Sequence, residues 1–476
     1  MIRMNIDLLN DIITKCNFGA DFYEIRFDDL KLTVLFKEKD TWKDIGYKQR
    51  KGVGICAYFE GTLGYSCTSD IKPASILDAA KTATKIAAIA SEASSIHLPF
   101  DSENPIVESI SAPYSIEKHP MDVPLEDKID LIERGIDTVK EEGGNNLSSY
   151  KGQYAELYGE KILVNSEGSN ISWDFLISDL VFSSVMKDVD GLVSDYSRLG
   201  GSYGLENFKD SNSPENLAKS VIKSTKEQIN ARKAPPGHFR CLADNQMVGV
   251  LAHESFGHLS EADFVVSKAS PLYGRLNQQI ASDLVSINDE GTPDISKYGG
   301  LWLPFDDQGS ITQKTVILEN GVLKNFLNDR GTAKHLDGAR SGNSRAINFS
   351  FPPIPRMTNT YFQAGDFTDE EAIEELKEGI YAINSSGGQA DASGDFFFKS
   401  SRGYYVKNGE IKYPLKEVSL SGNILSALKQ IIGLTKEIKI SSGYFGGCGK
   451  YQQFPLPVGM GGPQVLFEKI RIGGET

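Results

Sequence analysis

The stretch Lys233-Ala-Pro-Pro-Gly-His-Phe-Arg-Cys-Leu-Ala-Asp-Asn-Gln-Met-Val-Gly-Val-Leu-Ala-His-Glu-Ser-Phe-Gly-His258 lies near the middle of the 476-residue chain and indicates how the chain is divided. Its first residues, which include two prolines, have the composition of a linker or of the entry to a strand. Asp244 then caps a helix whose apolar residues lead into the last six residues. Because the chain exceeds the usual size of one hydrophobic core, we predict two domains, residues 1–232 and 233–476.

The first half of the sequence alternates between helix-type and strand-type patterns. Apolar residues at helical spacing predict one helix near the N-terminus, a second from about Ile76 to Ser91, and a third that starts at Leu125. Between Tyr150 and Tyr203, period-two runs separated by turn residues predict an antiparallel meander. The pattern therefore indicates an N-terminal α/β domain with mixed or antiparallel sheets.

The second half consists mostly of strand and turn signals. Asn320-Gly321 stands between two apolar runs and predicts a tight hairpin. Thr368 and Glu371 have the spacing of a capping box, which predicts a short helix among the strands. The expected fold class is therefore α+β, with a β-rich C-terminal domain that carries the metal site.

Charge and composition exclude several classes of function. The 50 Lys and Arg residues against 64 Asp and Glu residues give a formal net charge of -14, which disfavours a nucleic-acid partner. No apolar run reaches the length of a membrane span, and the N-terminal residues lack a signal-peptide pattern. The five widely spaced cysteines are typical of reduced thiols. We therefore expect a cytoplasmic protein without a membrane or nucleic-acid partner.

The motif His253-Glu-Ser-Phe-Gly-His258 places two histidines around one acid. On an ideal helix, residues five apart point about 140° away from each other, so the two rings can face one metal only if the helix distorts. Gly257 offers a permissive backbone for a wide turn or an abrupt helix end. The motif thus predicts a metal site on a distorted helix; the alternative is an ordinary helix end with two exposed histidines.

A catalytic zinc usually takes three protein ligands and leaves a fourth position for water, so a third ligand is needed beside His253 and His258. Glu261 and Asp263 are candidates, either as ligands or as groups that orient a ligand histidine. Cys448 is the other candidate, because glycines surround it and Lys450 would favour the ionised sulfur. We expect the remaining cysteines to be small buried residues: Cys16, Cys56, Cys67 and Cys241.

Glu254 follows a predicted ligand and would project differently from it. This position suits a general base beside the metal better than a direct ligand.

At this point the sequence resembles the TldD branch of the TldD/PmbA (TldE) family over essentially its whole length. The motif matches the HExxxH segment of TldD, which the PmbA/TldE branch lacks. Further blocks follow in the same order as in TldD: Gly52-Val-Gly54, Asp306-Asp-Gln-Gly309, Glu319-Asn-Gly321, Pro355-Arg-Met-Thr-Asn-Thr360, Gly387-Gly-Gln389, Cys448-Gly-Lys450 and Leu456-Pro-Val-Gly459.

The resemblance implies a zinc metallopeptidase in which His253, His258 and Cys448 bind Zn²⁺ and Glu254 is the catalytic base. It further implies that the substrates are unfolded or short peptides, held as an added β-strand and cut by zinc-dependent hydrolysis. The implied partner is a TldE/PmbA-like subunit in a heterodimer, with a homodimer as the other arrangement. The alternative function is a non-catalytic peptide-binding or regulatory scaffold with a structural zinc.

Overall fold

The computed structural model of the protein describes residues 5–98, 105–112, 116–189 and 191–473. It has the predicted α+β fold: one mixed sheet with helices in the first half, and a β-rich second half built around two larger sheets. The helices are α1 Ile6–Ile13, α2 Pro73–Ala93, α3 Leu125–Gly143, α4 Pro214–Gln228, α5 Asn245–Val250, α6 Ala262–Val266, α7 Ile295–Tyr298, α8 Arg330–His335, α9 Asp369–Leu376 and α10 Ile424–Leu428.

The strands of the first half are β1 Phe22–Glu38, β2 Thr41–Phe59, β3 Thr62–Thr68, β4 Val107–Ile110, β5 Leu147–Asn165, β6 Asn170–Asp188 and β7 Gly191–Gly201. Those of the second half are β8 Gly237–Ala243, β9 Ile287–Glu290, β10 Lys314–Glu319, β11 Val322–Leu323, β12 Ser344–Arg345, β13 Ile354–Pro355, β14 Asn359–Phe362, β15 Glu378–Ile383, β16 Gly387–Ala390, β17 Asp395–Ser400, β18 Arg402–Lys407, β19 Glu410–Leu415, β20 Val418–Asn423, β21 Ile431–Leu434, β22 Lys439–Ser442, β23 Cys448–Lys450, β24 Gln453–Leu456, β25 Gly459–Gly462 and β26 Val465–Ile472.

The first seven strands form one sheet in the order β3-β2-β1-β5-β6-β4, with β7 also pairing with β6. Its strands are antiparallel except for β4, which runs parallel to β6. The meander predicted between Tyr150 and Tyr203 is confirmed as β5, β6 and β7. Apolar stripes on the helices supply the core: α1 and α2 pack on β1 and β2, whereas α3 and α4 pack on β5 and β6.

The second half contains a nine-stranded sheet in the order β16-β17-β20-β26-β8-β15-β18-β19, with β21 on β26, and a six-stranded sheet in the order β11-β10-β9-β14-β25-β22. The predicted turn at Asn320-Gly321 joins β10 to β11, and both residues have positive φ. Thr368 and Glu371 form both bonds of the predicted capping box at the start of α9.

Helix α5 lies between these two sheets and contacts strands of each, β8 and β15 on one side and β14 and β25 on the other. Gly249 permits the close contact, because a Cβ there would stand 2.8 Å from the backbone nitrogen of Gly461 in β25. Met247, Val248 and Leu251 are buried in the same core. The motif that follows α5 is therefore held in the buried core between the two sheets.

The two halves of the chain meet along β1 and β2. The Arg26 guanidinium donates to the carbonyl oxygens of Asn348 and Phe351, at 3.0 and 3.1 Å. A Cβ on Gly54 would stand 2.7 Å from the carbonyl oxygen of Phe349, so glycine is needed for this approach. The division at residue 232 stays a prediction. Within the described ranges, no helix is both long and apolar enough to cross a membrane.

Candidate metal centre

The helix that carries the motif is distorted at the motif itself. Asp244 caps α5 by accepting a hydrogen bond from the backbone nitrogen of Met247 at 2.9 Å. From Leu251 to Gly257 the chain winds as a π-helix, and the backbone N–H of His258 donates to the carbonyl oxygen of His253. In this wider turn, residues five apart become neighbours. The ring centroids of the two histidines are 5.2 Å apart, so the predicted distortion is confirmed.

Gly257 contributes to this turn differently from the sequence-based expectation. Its backbone is helical, with φ of -59° and ψ of -50°, which any residue adopts. A Cβ at this position would instead stand 2.1 Å from the sulfur of Met357. The glycine is therefore required by packing against Met357, and the expectation that its conformational freedom makes the turn was wrong.

The third side chain of the cluster is Cys448, which is delivered by the hairpin of β23 and β24. One ligand atom each from His253, His258 and Cys448 lie within 4.8 Å of one another. The Cys448 sulfur is 3.4 Å from Nε2 of His258. His253 is 0% exposed and Cys448 is 2% exposed, so the structure brings these three residues together in a buried position.

This donor set fits a zinc ion. Both ring nitrogens of His253 are buried and have no hydrogen-bond partner among the described residues. Burial of an unpaired polar group costs free energy, and a bound cation would accept the free lone pair of the imidazole. Two imidazoles and one thiolate are ligands that zinc prefers, and three protein ligands are typical of its catalytic sites.

The electrostatics of the cluster favour the metal-binding form of the cysteine. Burial opposes ionisation of Cys448, but His253 and His258 lower the pKa of its thiol well below the ordinary value. The thiolate is the form that binds metals. Lys450 was expected to supply this effect, and that expectation was wrong, because its ammonium group donates instead to Glu261 at 2.9 Å and to Asp263 at 2.7 Å.

Glu261 orients His258. Its carboxylate lies 3.0 Å from Nδ1 of His258. Burial favours the neutral acid, yet the charges of His258 and Lys450 lower the pKa of Glu261 to about 2, so it accepts a hydrogen bond and Nδ1 donates. Asp263 does not contact His258 but pairs with Lys450. Of the candidates for the third ligand, the geometry therefore gathers Cys448 with the histidines and leaves both carboxylates outside the group.

Glu254 stands at the opening of the site. One carboxylate oxygen is 3.8 Å from Nε2 of His258, and the side chain is 40% exposed. It lines a cavity together with His258. The three other residues between the two histidines, Ser255, Phe256 and Gly257, are buried. Of the four residues between the histidines, Glu254 is therefore the one that presents a functional group to solvent.

Two features of the site have no signal in the local sequence. Arg356 is fully buried, and its Nε lies 4.0 Å from the Glu261 carboxylate. Lys450 also donates to the carbonyl oxygen of Pro355 at 3.0 Å, which joins the hairpin that carries Cys448 to β13.

The burial of the other cysteines was predicted only in part. Cys56 and Cys241 are buried as expected, and Cys16 is partly buried. The expectation was wrong for Cys67, which is exposed.

The sequence matches two family descriptions. "PmbA/TldA metallopeptidase C-terminal domain" matches residues 236–474, and "PmbA/TldA metallopeptidase central domain" matches residues 118–229. The chain belongs to the PmbA/TldD family. A metalloprotease of Methanocaldococcus jannaschii is 32% identical over 93% of this chain and 95% of its own length. A zinc metalloprotease TldD homolog of Saccharolobus solfataricus is 32% identical over 78% of this chain and 85% of its own length.

Solved structures of lower identity share the fold of this PmbA/TldD chain. The crystal structure of TldE from Thermococcus kodakarensis has a TM-score of 0.76 at 17% identity, and covers 98% of this chain and 100% of its own. A crystal structure from Thermotoga maritima has a TM-score of 0.80 at 21% identity, and covers 98% of this chain and 99% of its own. The family named from the motif and the blocks of sequence is confirmed.

Proposed function

We propose that this PmbA/TldD chain hydrolyses peptide bonds in unfolded or short peptides with a zinc ion held by His253, His258 and Cys448. The observation that carries the proposal is the buried cluster of three donors beside a carboxylate, Glu254, that faces a cavity. The relatives named metalloproteases and zinc metalloprotease support both the reaction and the metal.

Glu254 acts as the general base of this reaction. Zinc, when bound, supplies Lewis-acid chemistry to the scissile carbonyl and to water. The Glu254 carboxylate takes the proton of the attacking water and later returns it to the leaving amine. Its partial exposure and its position 3.8 Å from Nε2 of a ligand histidine suit both proton transfers. Glu261 holds the ring of His258 in one orientation during the cycle.

The peptide binds as an added strand on β16. This strand is the edge of the nine-stranded sheet, and Gly387, Gly388 and Gln389 are exposed. It also contacts the π-helical turn of the motif. Main-chain hydrogen bonds along such an edge bind an extended peptide with little regard to its side chains. A folded protein has few free extended segments, so the substrates are unfolded or short.

The remaining parts of the proposal concern assembly and place. A TldE/PmbA-like subunit is the proposed partner in a heterodimer, supported by the shared fold of this chain and TldE; a homodimer is the second arrangement. We also propose that the chain divides into two domains, residues 1–232 and 233–476, and that the protein is located in the cytoplasm.

Strand addition and metal dependence can be tested together. The chain, with and without a TldE-type subunit, is stripped with a chelator, reloaded with zinc and given a short unstructured peptide and its backbone N-methylated analogue. We expect cleavage of the plain peptide only after reloading, and at least about tenfold slower cleavage of the analogue, which cannot donate the strand hydrogen bonds. Cleavage that survives the chelator, or that ignores N-methylation, would contradict the corresponding part of the proposal.

A further inference from the structure

A cavity of about 320 Å³ opens directly beside Glu254 and His258. This volume is at the lower end of the roughly 300–1,000 Å³ found for small-ligand pockets, so it suits one or two side chains rather than a larger element. Its other walls come from three separate segments: the chain after the motif, the end of β16 and the hairpin that carries Cys448. In the proposed hydrolysis this cavity exposes Glu254, and its other walls have no role yet.

The lysine that lines the cavity already has partners in the described structure. The Lys450 ammonium donates to Glu261, Asp263 and the carbonyl oxygen of Pro355. It also lies 4.3 Å from the centre of the Phe264 ring. Two carboxylates therefore neutralise its charge, and it does not offer a free cation to an acidic ligand.

Among the other polar groups of the wall, Glu254 is the proposed general base, whereas Asp391 and Ser270 have hydrogen-bond partners of their own. The Asp391 carboxylate accepts from the backbone nitrogens of Ser393 and Asp395, at 2.9 and 3.1 Å. The Ser270 hydroxyl donates to the carbonyl oxygen of Leu259 at 2.6 Å. The rest of the wall is mainly apolar: Leu259, Phe264, Ala269, Ala390, Ala392 and the Tyr451 ring.

The position of the cavity relates it to the edge strand. Ala390 is the last residue of β16 and lines the cavity, as do Glu254 and His258. A peptide added along β16 therefore passes this opening as it reaches Glu254. Side chains of a strand project perpendicular to the sheet, so one of them can enter the cavity while the backbone stays on the edge.

We propose that this cavity selects an apolar side chain on one of the two residues that flank the scissile bond. The inference rests on the proposed function and extends it to substrate choice. An apolar residue gains free energy there by leaving water, whereas an acidic residue would lose its hydration without gaining a partner.

The test uses unstructured peptides of Gly and Ser that carry Leu, Ala or Asp at one internal position, with cleaved bonds mapped by mass spectrometry. The zinc-loaded chain with its TldE-type subunit should cut beside Leu with a kcat/KM at least about tenfold above that for Asp. Ala269→Phe, which places a ring in the cavity from an exposed position, should lower the Leu-to-Ala ratio. Tyr451→Ala, which removes a wall that is 63% exposed, should lower it too.

Ala93→Phe is the matched control, because Ala93 is exposed at the end of α2, away from the cavity lining, and should leave the ratio unchanged. Cleavage that depends on Glu254 but has equal rates for Leu and Asp, or ratios unaffected by both cavity variants, would overturn the assignment. If no peptide is cut, the proposed function fails. Binding of the same peptides then tests separately whether the cavity selects an apolar side chain. Tighter binding of the Leu peptide, weakened by Ala269→Phe, would support it, and equal binding would overturn it.

Discussion

The Glu261 carboxylate accepts a hydrogen bond from Nδ1 of His258 across 3.0 Å, in a position where Glu261 is fully buried. This contact fixes the tautomer, because a carboxylate cannot donate and Nδ1 must therefore carry the proton. With Nδ1 committed to Glu261, Nε2 is the nitrogen left to face a metal ion, and it lies 3.4 Å from the Cys448 sulfur.

Glu261→Gln should weaken zinc binding. The amide can still accept from Nδ1, but it lacks the charge that makes the imidazole a stronger ligand, and loss of such a partner typically costs about 10–100-fold in metal affinity. Competition against a chromophoric chelator measures the change. Asp263→Asn is the matched control, because Asp263 shares Lys450 with Glu261 but does not contact His258. Equal losses in both variants would contradict the orienting role.

Cys448→Ser should remove most of the bound zinc. The hydroxyl keeps the shape of the side chain but does not ionise in the usual pH range, so the site loses its anionic donor. We expect zinc retained after dialysis to fall to on the order of a tenth of the wild-type amount. Cys67→Ser serves as the control, since Cys67 is exposed and lies outside the donor group. Full zinc retention by Cys448→Ser would contradict the ligand assignment.

Glu24 should make stability depend on pH. Burial raises the pKa of Glu24 to about 8, although Arg330 and Arg26 oppose the shift. The folded protein therefore holds a proton that the unfolded chain, with a pKa of about 4.3, releases earlier. The free energy of unfolding contributed by this group is fully present below about pH 4 and is lost as the pH rises towards about 8.

Thermal unfolding of Glu24→Gln measures this effect. The amide cannot ionise, so the variant should lose less of its Tm between about pH 5 and about pH 8 than the wild type. Glu92→Gln, an exposed change on α2, should follow the wild type. Parallel pH profiles for all three proteins would show that Glu24 titrates alike in the folded and unfolded chains.

The sequence predicted the features of the site that depend on spacing and local pattern. Two histidines five residues apart require a distorted helix before they can share a metal, and the π-helical turn at Leu251–Gly257 meets that requirement. The cap at Asp244 and the strands of the meander also follow from local patterns. These features involve neighbours along the chain, which a single sequence displays directly.

The features that the sequence could not predict depend on contacts between distant segments. Gly257 is required because a Cβ there would meet the sulfur of Met357. Met357 lies about a hundred positions along the chain, and no local pattern connects the two residues. Lys450 stands two residues from Cys448 along the chain, yet it turns towards Glu261 and Asp263. Glu261 reaches both His258 and Lys450, whereas Asp263 reaches Lys450 but not His258. These contacts depend on the fold and not on the local sequence.

The most direct test of the proposed reaction compares the wild type with Glu254→Gln, each prepared with and without a TldE-type subunit. Zinc content is measured by elemental analysis and cleavage by the release of fragments from an unstructured peptide. Glu254 is outside the donor group, so both proteins should hold one zinc per chain, whereas only the wild type should cut, with a loss of at least about a hundredfold in the variant. Equal cleavage by both proteins, or a zinc-loaded wild type that never cuts even with its partner, would contradict the account.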